Sequence, residues 1–294
     1  MWLIVTPCRN EADNLQGLHL SLRSQRNMPS HLWVIVDDGS TDDTSLIAEQ
    51  VASQHPNAIV VRRANSGGLS GGSAYKAWQF GVEQGLRYLT GTTPSVVMKL
   101  DADVRLGVDY FDQLKGHERS GAFGGFMQGR RHREQTLHIP GPVKAYSWAG
   151  YLCLDELPRT VGFDVVDEVL LRARGFQTQV VPRASFTMAR DIGASEGRIR
   201  GRYRNGMVCR ITGYAPEYFL LHALRYMFRR PYAVGALAMI LGYVASARSP
   251  YADAIRQCHA EEQRAKLAAM KSSPIPWLQA TYGMNRRLSS DYDH

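Results

Sequence analysis

The stretch Val96-Val97-Met98-Lys99-Leu100-Asp101-Ala102-Asp103-Val104 joins an apolar run to two carboxylates set one residue apart. Its first half, Val96–Leu100, reads as a buried strand. On an extended backbone residues i and i+2 share a face, so Asp101 and Asp103 are expected to converge on one object. Paired carboxylates at the carboxyl end of a strand suit a hard divalent cation, Mn²⁺ or Mg²⁺, that also bridges phosphate oxygens. A solvated turn at a strand end can look the same, so the surrounding sequence has to decide.

Toward the N-terminus, Trp2–Thr6, Leu32–Val36 and Ile59–Val61 are further apolar runs. Helical spacing follows each: Leu15, Leu18 and Leu22 behind Asp13 or Asn14, then Leu46, Ile47 and Val51 behind Thr41 or Asp42, then Ala74–Tyr88. Strand and helix thus alternate four times with short connections, and the strands are uniformly apolar. That pattern predicts an α/β fold, a mainly parallel sheet with helices on both faces. Such sheets bind ligands beyond the carboxyl ends of their strands. The loops there are Pro7–Glu11, Asp37–Ser40, Arg63–Gly72 and Asp101–Asp103, rich in acids and glycine.

Beyond Gly107 the repeat breaks down. Gly121–Gln128 reads as a glycine-rich strand, and residues 130–150 as a loop that opens on Arg130, Arg131, His132 and Arg133. Val166–Arg174 is expected to be a helix ended by Gly175, and Phe176–Val181 a short strand at the sheet edge. Residues 1–200 are read as one domain, in halves 1–106 and 107–200 divided where the alternation ends. Residues 201–294 are read as a basic helical extension.

Charge separates the two regions. Residues 1–182 sum to −1 and residues 183–294 to +9. An anionic partner is expected for the last third: phosphates, an acidic lipid surface or nucleic acid. Pro231–Ala247 is a 17-residue run without a charge, at the lower limit of a membrane span. It admits three readings: core helix, interfacial helix or span. Arg225, Arg229, Arg230 and Arg248, with Tyr226, Tyr232 and Tyr243 nearby, favour a segment at the level of lipid headgroups. Cys8, Cys153, Cys209 and Cys258 form no C-x-x-C, which argues against a zinc site or disulfide framework and fits a reducing compartment. No charged segment with a long apolar run follows Met1, so no secretory leader is expected.

Three motifs in order resemble the family 2 glycosyltransferases of the GT-A fold. They are Thr6-Pro7-Cys8-Arg9-Asn10-Glu11, Val36-Asp37-Asp38-Gly39-Ser40-Thr41-Asp42 and Asp101-Ala102-Asp103, and Gly162–Gly175 looks like the family's acceptor-side motif. The resemblance covers roughly residues 1–182. It implies a nucleotide-diphosphate-sugar donor, inversion at the anomeric carbon and a Mn²⁺ or Mg²⁺ cofactor. Thr6, Pro7, Arg9, Glu11, Asp38, Gly67, Asp101 and Ala102 would then contact the nucleotide-sugar. Asp103, with Asp101, would hold the metal. Asp167 falls where the family has its general base, with Glu168 the alternative because this chain reads Asp-Glu where many members read Glu-Asp. Arg202 and Arg204 are candidates for the diphosphate or for lipid headgroups.

The implied acceptor is lipid-linked, a saccharide or polyprenyl phosphate, at an anionic membrane surface on the cytoplasmic face. Two other classes compete. A nucleotidyltransferase would use Mg²⁺ on the same carboxylates, yet Pro7–Glu11 is not the Gly-rich, basic loop that class needs. A basic nucleic-acid binder would exploit the C-terminal charge, but no such motif is present and nucleic acid is not expected as a partner.

Overall fold

In the computed structural model, β1 (Trp2–Cys8) sends Ile4 to one face of a sheet and Leu3 and Val5 to the other, all wholly buried. This is the two-sided burial that a uniformly apolar strand predicts. The structure describes residues 1–65, 67, 70–128, 138–189, 197–227, 231–246 and 248–273. β2 (His31–Asp37) and β4 (Val96–Lys99) flank β1 in parallel, and β3 (Ala58–Arg62) lies beyond β2. α1 (Ala12–Arg23), α2 (Thr44–Gln54) and α4 (Tyr110–Leu114) pack on one face. α3 (Ser70–Tyr88), α5 (Trp148–Cys153) and α6 (Phe163–Ala173) pack on the other.

The remaining strands are β5 (Val104–Leu106), β6 (Ala122–Met127), β7 (Ala145–Ser147) and β8 (Thr178–Met188). Among the described residues the sheet has eight strands in the order β3-β2-β1-β4-β7-β6-β8-β5. It is mixed and mostly parallel, because β7 runs antiparallel between β4 and β6, and β5 antiparallel on β8. Four expectations need correction. The stretch 130–150, read as loop, contains β7, which at three residues is too short to show a period. β8 runs on to Met188, and β5 occupies the edge that it was expected to take. α6 begins at Phe163, three residues early, behind Gly162 at φ +88°. Asp101-Ala102-Asp103 is a turn closed by the Val104 N–H on the Asp101 carbonyl (3.2 Å), not an extended strand end.

Past β8 come α7 (Arg198–Ile211), α8 (Pro216–Tyr226), α9 (Ala233–Val244) and α10 (Asp253–Ser272). Cys209, Phe219, Ala223, Met239 and Tyr243 form a small core of their own. α10 returns to α6, where Arg172 meets Glu262 at 2.8 Å. The helix within the uncharged 231–247 run has 12 residues, about 18 Å at 1.5 Å per residue against a bilayer core of about 30 Å. No described helix is long and apolar enough to cross a membrane. Of the residues singled out above, Arg130, Arg131, His132, Arg133, Arg229, Arg230, Ala247 and most of the Gly-rich loop tip lie outside the described residues.

Candidate active site

The ends of β1, β2 and β4 are tied together by main-chain bonds. The Asp38 N–H donates to the Cys8 carbonyl (2.8 Å) and the Leu100 N–H to that of Val5 (3.0 Å). Cys8 sits at the centre of the edge so formed. Burial, and then the carboxylates of Glu11, Asp37 and Asp101, push its thiol well above the usual range. The three acid-bearing loops therefore meet on one edge, as strand order requires, and the Arg63 N–H on the Asp37 carbonyl (3.0 Å) brings the start of the fourth loop to it.

Within that edge the side chains have different work. Thr6 is buried and accepts from the Trp33 indole (2.9 Å), so it braces β1 against β2. Glu11 accepts from Asn14 (2.8 Å), and its N–H donates to Thr44 Oγ1 (2.7 Å). Pro7 is half-buried and Arg9 is exposed. Asp37 accepts from the Ser40 N–H and from Ser45. Burial raises its pKa, but the Ser45 and Ser40 hydrogen bonds outweigh that and hold it below the usual carboxylate range. Asp38 is buried, paired with Arg63 Nε (3.0 Å) and accepting from Asn65 (2.6 Å) and Ser73 (2.9 Å). Gly67, exposed at φ +67°, donates its N–H to Asn65 Oδ1 (2.7 Å), which joins the Gly-rich loop to the Asp38 cluster.

On the turn after β4, Ala102 is buried and Asp103 nearly so, whereas the Asp101 side chain is 29% exposed. Buried Lys99 pairs with Asp101 and donates to the Gly141 carbonyl (3.3 Å). Asp103 and Glu11 both lie close enough to Arg105 to raise its pKa, although burial lowers it overall. Among the described residues no group of three or more Asp, Glu, His or Cys side chains converges as a metal site. Asp101 and Asp103 stand on one turn as two hard oxygen donors, with one Asp101 oxygen held by Lys99. That set fits Mn²⁺ or Mg²⁺ drawing its other ligands from phosphate oxygens and water.

α6 distributes its acids differently from the expectation that Asp167 or Glu168 faces a substrate. Asp167 is wholly buried; Lys144 Nζ lies 3.0 and 3.1 Å from its two oxygens, and the Tyr146 hydroxyl donates to it at 2.5 Å. Glu168, also buried, accepts from Lys144 (2.8 Å) and the Ile139 N–H (3.1 Å) and pairs with His138 and Arg172. Neither carboxylate is open to an acceptor. Asp164, in the first turn of α6, is half-buried and has no ion-pair or hydrogen-bond partner for its carboxylate among the described residues. A Cβ built on Gly141 would lie 3.2 Å from its Oδ2. The Gly141 carbonyl takes Lys99, and the Pro142 carbonyl takes the Asp101 N–H (2.9 Å), so Asp164 and Asp101 flank one short segment.

Arg202 lies with its guanidinium 3.9 Å from the Tyr226 ring centroid, engaged among the C-terminal helices, and Arg204 is on the same helix, α7. Arg63, Asn65, Ser73, Lys99 and Lys144 were not singled out from sequence. Their signal is tertiary, since each is an ordinary polar residue until the fold sets it against an acid.

A sheet of this order, with helices on both faces and acids from three strand ends on one edge, has the GT-A-like architecture. The profile of Glycosyl transferase family 2 matches residues 3–174, and the chain belongs to that family. No curated protein matches it. Among solved structures, the mannosyltransferase PcManGT from Pyrobaculum calidifontis, in complex with GDP-Man and Mn²⁺, is 20% identical. That alignment covers 95% of this chain and 82% of the other, with a TM-score of 0.53. GalNAc-T7 with UDP, GalNAc and Mn²⁺ is 14% identical, with 94% and 58% covered and a TM-score of 0.58. Glucosyl-3-phosphoglycerate synthase from Mycobacterium tuberculosis is 19% identical, with 71% and 78% covered and a TM-score of 0.50. At such identities the likeness is one of fold. The family sets aside the nucleotidyltransferase and nucleic-acid-binding readings of the chain.

Proposed function

We propose that this glycosyltransferase inverts the anomeric carbon of a nucleotide-diphosphate-sugar as it passes the sugar to a saccharide or lipid-linked acceptor. The observation that supports this reading is the place of Asp101 and Asp164 beside one short segment: the Asp101 N–H donates to the Pro142 carbonyl (2.9 Å), and a Cβ on Gly141 would lie 3.2 Å from Asp164 Oδ2. On this reading Asp101 would serve the donor, and Asp164, whose carboxylate has no ion-pair or hydrogen-bond partner among the described residues, would serve the acceptor. Asp38, with Asn65 and Gly67, would receive the nucleoside. Asp103 and Asp101 would hold Mn²⁺ or Mg²⁺, whose bound charge stabilises the departing diphosphate.

Asp164, rather than Asp167 or Glu168, would take the acceptor hydroxyl's proton while that oxygen forms its bond to the anomeric carbon. The bond from that carbon to the phosphate oxygen breaks on the opposite face, and the electron pair leaves with the diphosphate. Lys144 binds the Asp164 carbonyl at 2.5 Å, which positions the first turn of α6 for this role. A polyprenyl-phosphate acceptor, already ionised, would need no such base. The free cysteines are consistent with work at the cytoplasmic face of a membrane.

The test is a thermal-shift panel of nucleotide diphosphates and their sugars, with and without Mn²⁺, followed by transfer assays with the donor so found. Asp103→Asn should lose the Mn²⁺-dependent shift. Asp164→Asn should keep that shift and lose transfer to a hydroxyl acceptor by about a hundredfold or more. Full transfer by Asp164→Asn would sink its role as base. No Mn²⁺-dependent shift with any nucleotide would sink the donor site.

A further inference from the structure

α9 is apolar on both sides. Gly235, Ala236, Met239, Gly242 and Tyr243 form its buried side, and a Cβ at Gly242 would lie 2.0 Å from the Tyr203 carbonyl, so it crosses α7 backbone to backbone. Val234, Leu237, Leu241 and Val244 recur at i, i+3, i+7 and i+10 on the opposite side, from 53% to 76% exposed. A helix on the surface of a soluble domain carries polar residues there. α8 repeats the arrangement. Phe219 and Ala223 face the shared core, with Phe219 stacked 3.9 Å from Tyr243, while Leu220, Leu221, Leu224 and Met227 are exposed. Eight large apolar side chains on two packed helices are thus exposed among the described residues, and exposed apolar surface of this kind marks an interaction site.

The charge of this segment of the sequence selects the occupant. Residues 198–248 contain nine arginines and one acid, Glu217, which Arg264 holds at 2.7 Å. A second copy of the chain docked on this face would bring two such arginine sets together. A polynucleotide would match the arginines and leave the leucines in water. An anionic bilayer surface satisfies both, with phosphates for the guanidinium groups and the acyl boundary for the leucines. α9 is too short to span, so it would lie in the interface plane.

We infer that the outer faces of α8 and α9 seat the enzyme flat on an anionic lipid bilayer. This rests on the C-terminal helices alone and is independent of the transfer chemistry.

The experiment is flotation of the full chain with phosphatidylcholine vesicles, alone and with phosphatidylglycerol added, at low and high salt. The chain should float with the anionic vesicles and bind them less at high salt. The double variant Leu237→Gln/Leu241→Gln, at two exposed positions, should keep the parent's melting temperature and bind about thirtyfold more weakly. Failure to float with anionic vesicles at low salt would overturn the inference, as would equal flotation of the double variant. A dimer in sedimentation velocity that the double variant turns into a monomer would assign the face to a second copy instead.

Discussion

Replacing Lys144 by methionine should cost about 3–5 kcal/mol of folding stability, the range for breaking a buried ion pair by removing one partner. The lysine stem is buried and methionine is close to it in volume, so packing contributes little to the loss. The ammonium, however, touches the Asp164 carbonyl at 2.5 Å, both oxygens of Asp167 and, at 2.8 Å, Glu168. Without it Asp167 keeps only the Tyr146 hydroxyl and the Glu168 N–H, beside a second buried carboxylate. Burial already pushes Asp167 above the usual carboxylate range, with Lys144 opposing and Glu168 adding to the rise. Burial acts upward on Glu168 too, but Lys144 and then His138 hold its pKa below the ordinary value. Removing the lysine therefore raises both folded-state values and carries Asp167 further above that of the unfolded chain. The loss should be complete near neutral pH and shrink as acidification protonates the pair. Urea unfolding followed by the fluorescence of buried Trp33 and Trp78 measures it. A loss under about 1 kcal/mol, or one equal at pH 5 and pH 8, would refute the assignment of Lys144 as the cation that permits two adjacent buried acids.

His55 is nearly buried with its Nε2 2.9 Å from that of His31; burial, then His31 and His19, lower its pKa from 6.5 to about 4. The unfolded chain binds the proton more readily, so stability is full above pH 6.5 and falls, by up to about 3 kcal/mol, as pH drops toward 4. His55→Gln should flatten the melting temperature against pH over that window; an unchanged slope would exclude the histidine cluster as its source. Gly206→Val should cost about 1–3 kcal/mol, because a Cβ there would sit 1.8 Å from the Met239 carbonyl at the α7–α9 crossing. A melting temperature equal to the parent's would show that the crossing is looser than described.

The first four strands were legible because each is a mainly apolar run bounded by turn residues, and in β1, β2 and β4 burial on both faces keeps polar residues few. The acid loops were legible for a related reason: strand order alone sets them on one edge. β7 was not, since its three residues are too few for any period. Nor could the sequence rank the acids of α6. Asp164, Asp167 and Glu168 differ by which side of one helix faces the core, and that depends on where the helix starts. Its start is hidden because Gly162 precedes it at φ +88° with no side-chain cap to signal the boundary. The partners of Asp38 were hidden by distance along the chain: Asn65 and Ser73 are 27 and 35 residues away. The turn at Asp101–Asp103 defeated the strand-spacing argument while preserving its consequence, two carboxylates at the end of β4.

The buried charges also explain why the C-terminal helices should be treated as part of the enzyme. Glu262 on α10 holds Arg172, which reaches Glu168, which shares Lys144 with Asp167, and Lys144 fixes the carbonyl of Asp164. Two further ties run in parallel: the Tyr251 hydroxyl on the Val161 carbonyl (2.8 Å) and Gln263 on the buried Ala215 N–H (2.8 Å). A buried network of this kind holds its geometry only when every member is present, because each missing partner exposes the next to an uncompensated charge. The helices that carry the leucine face are thereby held to the helix that carries Asp164. If that face lies on lipid, Asp164 stands at a set height above the bilayer.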